Sequence, residues 1–343
     1  MVESQETAVA ISLLGAKNRA VQTPGTEAVA QLDGSGHIYV LNHLGDVEYE
    51  EAFTAAILTS AGQQLNPKVL NSNSIYIIAN IPTGLAGAAA NLSTLDEIKA
   101  FNALITTQLD YKEAALANVD AKPVLIGDPS HTKTGDVVRM LVQINPVISR
   151  MELAAVGTSD DRIESFTVTG VYVDSYYRQF NFGGSFDVAA GKYEQYSSKD
   201  FSAYGTPMGQ WHANTRVGGW ISEEISGRQV AHPRADIAVA QHWAHNVVAG
   251  YLPRFIIEVD NVKVDETKVE PVVGKRYITI SGYKGLSAFQ RGRIYVVGGS
   301  GLNGGIDFEL EDLKEIPNPE EVTVIVDVEV IKWEVEDLPY ELF

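Results

Sequence analysis

The chain of 343 residues contains no cysteine. Disulfide frameworks, thiolate-bound zinc and cysteine nucleophiles are therefore excluded. Basic residues are few: 26 Lys and Arg stand against 44 Asp and Glu, a formal charge of −18. A phosphate-bearing partner needs a basic face, so nucleic acid is excluded as a partner. The acidic balance favours solubility in salty, exposed surroundings. No run of 18 or more apolar residues occurs, so no transmembrane helix is expected. The opening Met1-Val2-Glu3-Ser4 lacks the basic and apolar regions of a secretory signal. Either the protein stays in the cytosol or the chain begins after a removed leader, and composition does not choose between them. Helix signals are scarce too. What the chain does have is 45% hydrophobic residues, enough for a sizeable core, and length for about two domains of roughly 150 residues.

β character recurs along the whole chain. Thr7 to Arg19 opens as a strand, with Val9, Ile11 and Leu13 alternating against Ala8, Ala10 and Ser12, and ends in a polar tail carrying Lys17 and Arg19. Gly36 to Asn42, Ile75 to Asn80, Lys122 to Ile126, Val137 to Val156, Phe166 to Val173, Phe255 to Val264, Tyr277 to Ser281 and Arg293 to Val297 read as further strands. Pro146 interrupts the fourth of these, so a sheet edge or bulge is expected there. One helix is convincing: Thr94 and Glu97 have capping-box spacing, and Leu95, Ile98, Phe101 and Ile105 share a face. Gly157 to Asp161, small and polar between apolar runs, is the expected boundary between a domain over 20–157 and one over 158–343. The last segment, Val322 to Val335, keeps period two from Val322 to Val330 and then switches parity at Ile331, Trp333 and Val335. A one-residue slip exchanges the faces of a strand, so a bend near Val330-Ile331 is expected, with two differently directed halves. The fold class is mostly β, of sandwich type.

Chemistry-bearing patterns are weak. Gly299-Ser300-Gly301-Leu302-Asn303-Gly304 matches a dinucleotide-binding pattern. Gly305, Pro317 and Pro319 leave little room for the helix that such a site requires, and a glycine-rich connection between strands is the better reading. His242 and His245 would share a face on a helix and hold a metal, but would oppose each other on a strand. No third ligand is suggested nearby, so aromatic packing is the better reading. There is no G-x-S-x-G elbow, and dispersed carboxylates alone do not define a glycosidase pair. Aromatic residues between Tyr172 and Trp220 read as core or loop anchors, with a sugar-stacking surface as the alternative. No catalytic residue, metal or cofactor is expected.

Four stretches together resemble the FimA-type fimbrillins, subunits of type V pili of Bacteroides-like bacteria. They are the opening strand with its basic tail and Arg19-Ala20, Ile75 to Thr83 followed by Ser93-Thr94-Leu95-Asp96-Glu97, Ile144 to Val156, and Phe289 to Tyr295 with the valine-rich strand closing on Lys332-Trp333-Glu334-Val335. Gly292 departs from the family, which commonly has Arg-Asn before the Tyr-containing strand. The resemblance implies two transthyretin-like β-sandwich domains with one or a few short helices. It also implies export as an outer-membrane lipoprotein precursor, with leader and lipid-bearing cysteine upstream of these residues. An arginine- or lysine-specific surface protease would cut at Arg19-Ala20, with Lys17 as the lesser site, removing residues 1–19. A strand of another copy, or of another fimbrial subunit, would then fill the groove head-to-tail.

Physics makes that step plausible without the family. Loss of Val9, Ile11 and Leu13 exposes apolar floor and unpaired backbone. Each such side chain contributes roughly 1.5–3 kcal/mol when buried, so a strand added from another chain is strongly favoured, and a head-to-tail contact builds a fibre. The terminal segment 322–343 is the natural donor, with Ile331, Trp333, Val335 and Leu338 as the residues that would reach out. Two other readings compete: a non-polymerising surface adhesin, tip subunit or carbohydrate-binding sandwich that meets a host or bacterial receptor, and a hydrolase using paired carboxylates.

Overall fold

The computed structural model describes residues 6–14, 35–58, 62–66, 69–70, 73–79, 81, 85–104, 116–117, 120–121, 137–143, 145–146, 149–174, 176–177, 179–181, 192–193, 220–233, 240–244, 252, 254–290, 293–298, 306–317, 324–326 and 328–332. The protein is a mostly-β sandwich fold, with two short α-helices among these residues, α1 (Ala86–Ala89) and α2 (Leu95–Ala100).

In the first half, β1 (Glu6–Leu14), β2 (Gly36–Leu41), β3 (Val47–Ala52), β4 (Gln63–Gln64), β5 (Val69–Leu70) and β6 (Ser74–Ala79) precede a long strand, β7 (Val137–Gln143). One sheet has the order β3-β2-β6, with Asp120–Ala121 beyond β6. The other has β1 between β7 and β4, with β5 also on β1. All six residues of β2 are buried, so both its faces are covered. The Tyr39 hydroxyl donates to the Ala89 carbonyl at 2.8 Å, which fastens α1 over one of them. At Gly36 the chains approach so closely that a Cβ would stand 2.4 Å from the Ile78 carbonyl oxygen and from the Phe53 ring. Only glycine fits such a crossing.

The second half contains β8 (Ser149–Leu153), β9 (Val156–Thr158), β10 (Ile163–Asp174), β11 (Trp220–Ile225), β12 (Arg228–Pro233), β13 (Ala240–Ala244), β14 (Arg254–Val264), β15 (Arg276–Tyr283), β16 (Arg293–Val297), β17 (Ile306–Asp307), β18 (Val324–Val326) and β19 (Val328–Lys332). Three sheets form, with orders β13-β8-β16-β19, β11-β12-β9-β17 and β10-β14-β15-β18. The first two are joined by a bend at the buried Ala154 and Ala155, where the Ala154 N–H donates to Val297 O and the Ile306 N–H to Ala155 O. Period two along β14 sends Phe255, Ile257 and Val259 into one core with Phe166, Val168, Val171, Ile278, Ile280, Tyr295 and Phe308. Phe166 meets Phe308 edge-on at 5.0 Å. The buried Glu258, of opposite parity on β14, accepts from Thr169 Oγ1 and Lys275 Nζ at 2.7 Å each and from the Tyr277 hydroxyl at 3.2 Å, the pairing that a buried carboxylate requires.

Several sequence expectations shift in the structure. The helix has one half of the expected capping box, Thr94 Oγ1 accepting from the Glu97 N–H at 3.2 Å, while the Glu97 carboxylate accepts from the Ser93 N–H and hydroxyl at 2.7 Å each. It ends at Ala100, however, because Asn102–Leu104 pairs as a strand with Gln179–Asn181 and so takes the backbone groups a longer helix would use. Ile105 lies outside the described residues, as does 122–126. The terminal segment does have two differently directed halves, but the break falls between Val326 and Val328. β18 runs parallel to β15 in one sheet, while β19 runs antiparallel to β16 in another. Change of sheet, rather than change of parity, sets the break.

Strand partners change between Asn145–Pro146, which pairs with Leu116–Ala117, and β8, which pairs with β13 and β16. Gly157 and Thr158 lie inside β9, both buried, and the Thr158 hydroxyl donates to Phe308 O at 2.6 Å.

Candidate functional site

The first strand is paired along both of its edges. β1 is an interior strand, paired in parallel with β7 through seven register pairs, from Ala8↔Val137 to Leu14↔Gln143. Its other edge pairs antiparallel with β4 (Ala10↔Gln64, Ile11↔Gln63) and with β5 (Glu6↔Leu70, Thr7↔Val69). The Leu65 N–H donates to the Val9 carbonyl at 2.9 Å. Val9 and Ala10 are each 4% exposed and Ile11 is fully buried. Ile57, on the 3-10 turn Ala55–Leu58 beside β1, is fully buried as well. Removal of β1 would thus strip a ladder from β7 on one side and from β4 and β5 on the other.

The rim of this slot is held from outside. Gln63 is buried on β4, opposite Ile11. Its Nε2 donates to Glu51 Oε1 at 2.8 Å and to Ala52 O at 2.9 Å, and its Oε1 accepts from the Thr54 N–H at 2.6 Å. One side chain therefore ties β4 to the end of β3, so part of the slot wall is anchored independently of β1.

A second cluster gathers at the turn before β10. A shallow depression of about 340 Å³ is lined by Ser159, Asp160, Asp161, Arg162, Asp307 and Glu309. Its carboxylates are engaged. Arg162 donates two bonds to Asp160 at 2.8 and 2.6 Å and two to Glu311 at 2.6 Å each, and the Leu310 N–H donates to Asp160 at 2.9 Å. Asp307 accepts from the Ser159 N–H at 2.8 Å and from its hydroxyl at 2.7 Å. Hydrogen bonds from Arg162, then from the Leu310 and Arg162 backbone, hold the Asp160 carboxyl well below the usual carboxylate range. These bonds make the cluster a clamp that fastens the turn to the Leu310–Asp312 segment. Because the folded-state value is depressed, the clamp's contribution is complete above the ordinary aspartate range near pH 4 and is lost as pH falls below it. We expect the urea midpoint to drop on acidification below about pH 4, and to drop less steeply in Asp160→Asn.

The residues singled out by sequence fall as follows. Val9 and Ile11 are core residues of β1, and Leu13 stands across from Val142 in the same ladder. Arg19, Ala20 and Lys17 lie outside the described residues, as do Trp333, Val335 and Leu338. Ile331 lies in β19, paired with Ile294. His242 stands on strand β13 opposite Met151, and His245 lies outside the described residues. After β16 the described chain resumes as strand β17 rather than as the helix a dinucleotide site requires. Trp220 is buried in the core of the second half. Sequence reasoning missed Gln63 and β7 as the partners of β1: periodicity identifies a buried face but not a neighbour over 120 residues away.

No family model and no curated protein matches the chain. Solved structures share its fold over nearly the full length. One is a candidate cell adhesion protein from Bacteroides eggerthii DSM 20697, at 15% identity and TM-score 0.54, covering 97% of each chain. A second candidate cell adhesion protein, from Parabacteroides distasonis ATCC 8503, matches at 11% identity and TM-score 0.51, covering 98% of each chain. A third, from the same strain, matches at 10% identity and TM-score 0.54, covering 96% of this chain and all of the other.

Proposed function

We propose that this chain is a fimbria-related surface protein whose first strand is a removable occupant of the slot between β7 and β4. The carrying observation is the place of β1: an interior strand, wholly before Arg19, seated by seven parallel register pairs and a buried Val9–Ile11 stretch. Once the chain is cut at Arg19, a strand that lies wholly before the cut can be withdrawn without unthreading the rest, and what it leaves is an apolar trough with two open ladders. The fold shared with candidate cell adhesion proteins supports a surface role. In this reading a surface protease specific for arginine or lysine cuts at Arg19-Ala20, and the tail of another copy or another fimbrial subunit enters the slot. The precursor, in this reading, is an outer-membrane lipoprotein of two domains.

The adhesion proteins that share the fold also favour a second reading, a non-polymerising adhesin or tip subunit. Limited trypsin digestion followed by gel and electron microscopy separates the two. A cut confined to Lys17 or Arg19 with fibres appearing supports the first reading. A cut that leaves an inert monomer, or no cut there, supports the second.

A further inference from the structure

β4 is only two residues long, and its backbone bonds run to the strand that would leave. Gln63 and Gln64 pair with Ile11 and Ala10, and the next residue, Leu65, gives its N–H to the Val9 carbonyl at 2.9 Å. Among the described residues, the Gln63 side chain makes the remaining hydrogen bonds of residues 63–65. That side chain is 2% exposed. Its amide fits in one orientation: the nitrogen meets two acceptors, Glu51 Oε1 and Ala52 O, and the oxygen meets a donor, the Thr54 N–H. The other Glu51 oxygen accepts from the Tyr49 hydroxyl at 2.6 Å. None of these partners belongs to β1. An apolar residue at 63 would suit the burial, but it would leave the Thr54 N–H without this acceptor and would give β4 no such tie once β1 is gone.

We propose that Gln63 is a positioning residue for strand uptake: while the slot is empty, it keeps the β4 edge where an incoming strand can pair with it. This rests on the function proposed above, in which another chain's strand replaces β1. Had the β4 edge come away with β1, the incoming strand would have to order that edge as it binds, and association would slow. With Gln63 in place, the edge stands preformed opposite the position of Ile11. Ile11 is fully buried there, beside the 3-10 turn that carries the buried Ile57. Leu65, next to the same edge, is 2% exposed. The slot therefore offers an apolar residue of the incoming strand a fixed seat at the position of Ile11.

Amide hydrogen exchange in the intact chain separates the two kinds of bond. The Leu65 N–H is bonded to β1, and the Thr54 N–H to the Gln63 side chain. With the β4 edge anchored whenever β1 opens, Thr54 exchanges more slowly than Leu65, by about tenfold or more after correction for intrinsic rates. Uptake is read in the chain cleaved at Arg19, with a dye-labelled peptide of residues 6–14 as the probe. Gln63→Met keeps the length and the burial and loses the three hydrogen bonds. Its association with the peptide is expected to slow about tenfold or more, while dissociation changes less than about twofold, because the bound peptide itself then holds β4. An unchanged association rate with faster dissociation would mean that Gln63 only packs beneath the strand, and it overturns the positioning role. Leu65 and Thr54 exchanging together in the wild type overturns it too, and leaves the removable-strand reading standing. Should Gln63→Met fail to fold, this wild-type comparison decides alone. Slow Thr54 exchange with no peptide uptake by the cleaved wild type overturns the proposed function instead, and the positioning role falls with it although β4 is anchored.

Discussion

Ile11→Asp is expected to abolish the seating of the first strand and to cost more than about 4 kcal/mol of stability. Ile11 is fully buried and is paired on both edges, opposite Met140 on one side and Gln63 on the other. Two effects add. Loss of the apolar side chain removes roughly 1.5–3 kcal/mol of burial, and a carboxylate placed there has no ion-pair partner in its register neighbours. Domain stabilities are only about 5–15 kcal/mol, so the first half should lose most of its cooperative transition. Ile11→Val, which keeps the shape, should cost about 0.5–1.5 kcal/mol. Urea melts of the two variants make the comparison. An Ile11→Asp protein that melts with the wild type would mean β1 does not contribute to the core.

The second large effect concerns the other end of the chain. A protein ending at Lys332 retains β19 whole, and with it the antiparallel ladder to β16. It should therefore fold and melt like the full chain. After cleavage at Arg19, however, it has no segment to place in a neighbour's slot. Three apolar residues lost from the contact, at about 1.5 kcal/mol each, correspond to roughly a 1000-fold weaker association per junction. Light scattering of the cleaved variant should show monomer at concentrations where the cleaved full chain forms fibres. Normal fibres from the shortened chain would exclude residues 333–343 as the donor.

Much of this fold is written in local pattern. β1 shows in its alternation of large and small apolar residues, and β6, β14 and β16 show as short β-branched apolar runs, with five consecutive residues buried in both β6 and β14. The Thr94 cap is readable because capping depends on neighbours only a turn away. What escapes local reading is pairing. Nothing near Val9 indicates that its strand lies parallel to Val137–Gln143, and nothing in the valine run indicates that Val326 and Val328 belong to different sheets. The glutamate-rich β3 is hidden for a related reason. Glu50 and Glu51 tolerate a strand there because His37 and the pair Tyr49 and Gln63, respectively, supply their hydrogen bonds. The candidate site divides in the same way: Val9 and Ile11 are visible as a buried face, whereas Gln63 acquires meaning only once the ladder is known.

The proposal that β1 is removed is tested most directly by what the assembled material contains. The intact protein is cleaved at Arg19, the fibres are separated from monomer, and each fraction is analysed by denaturing mass spectrometry. The removable-strand account predicts residues 1–19 in the cleaved monomer fraction and their absence from the fibres, where a second copy's strand occupies the slot. Fibres that retain one copy of the 1–19 fragment per subunit would contradict it, since β1 would then be a permanent strand of the sheet.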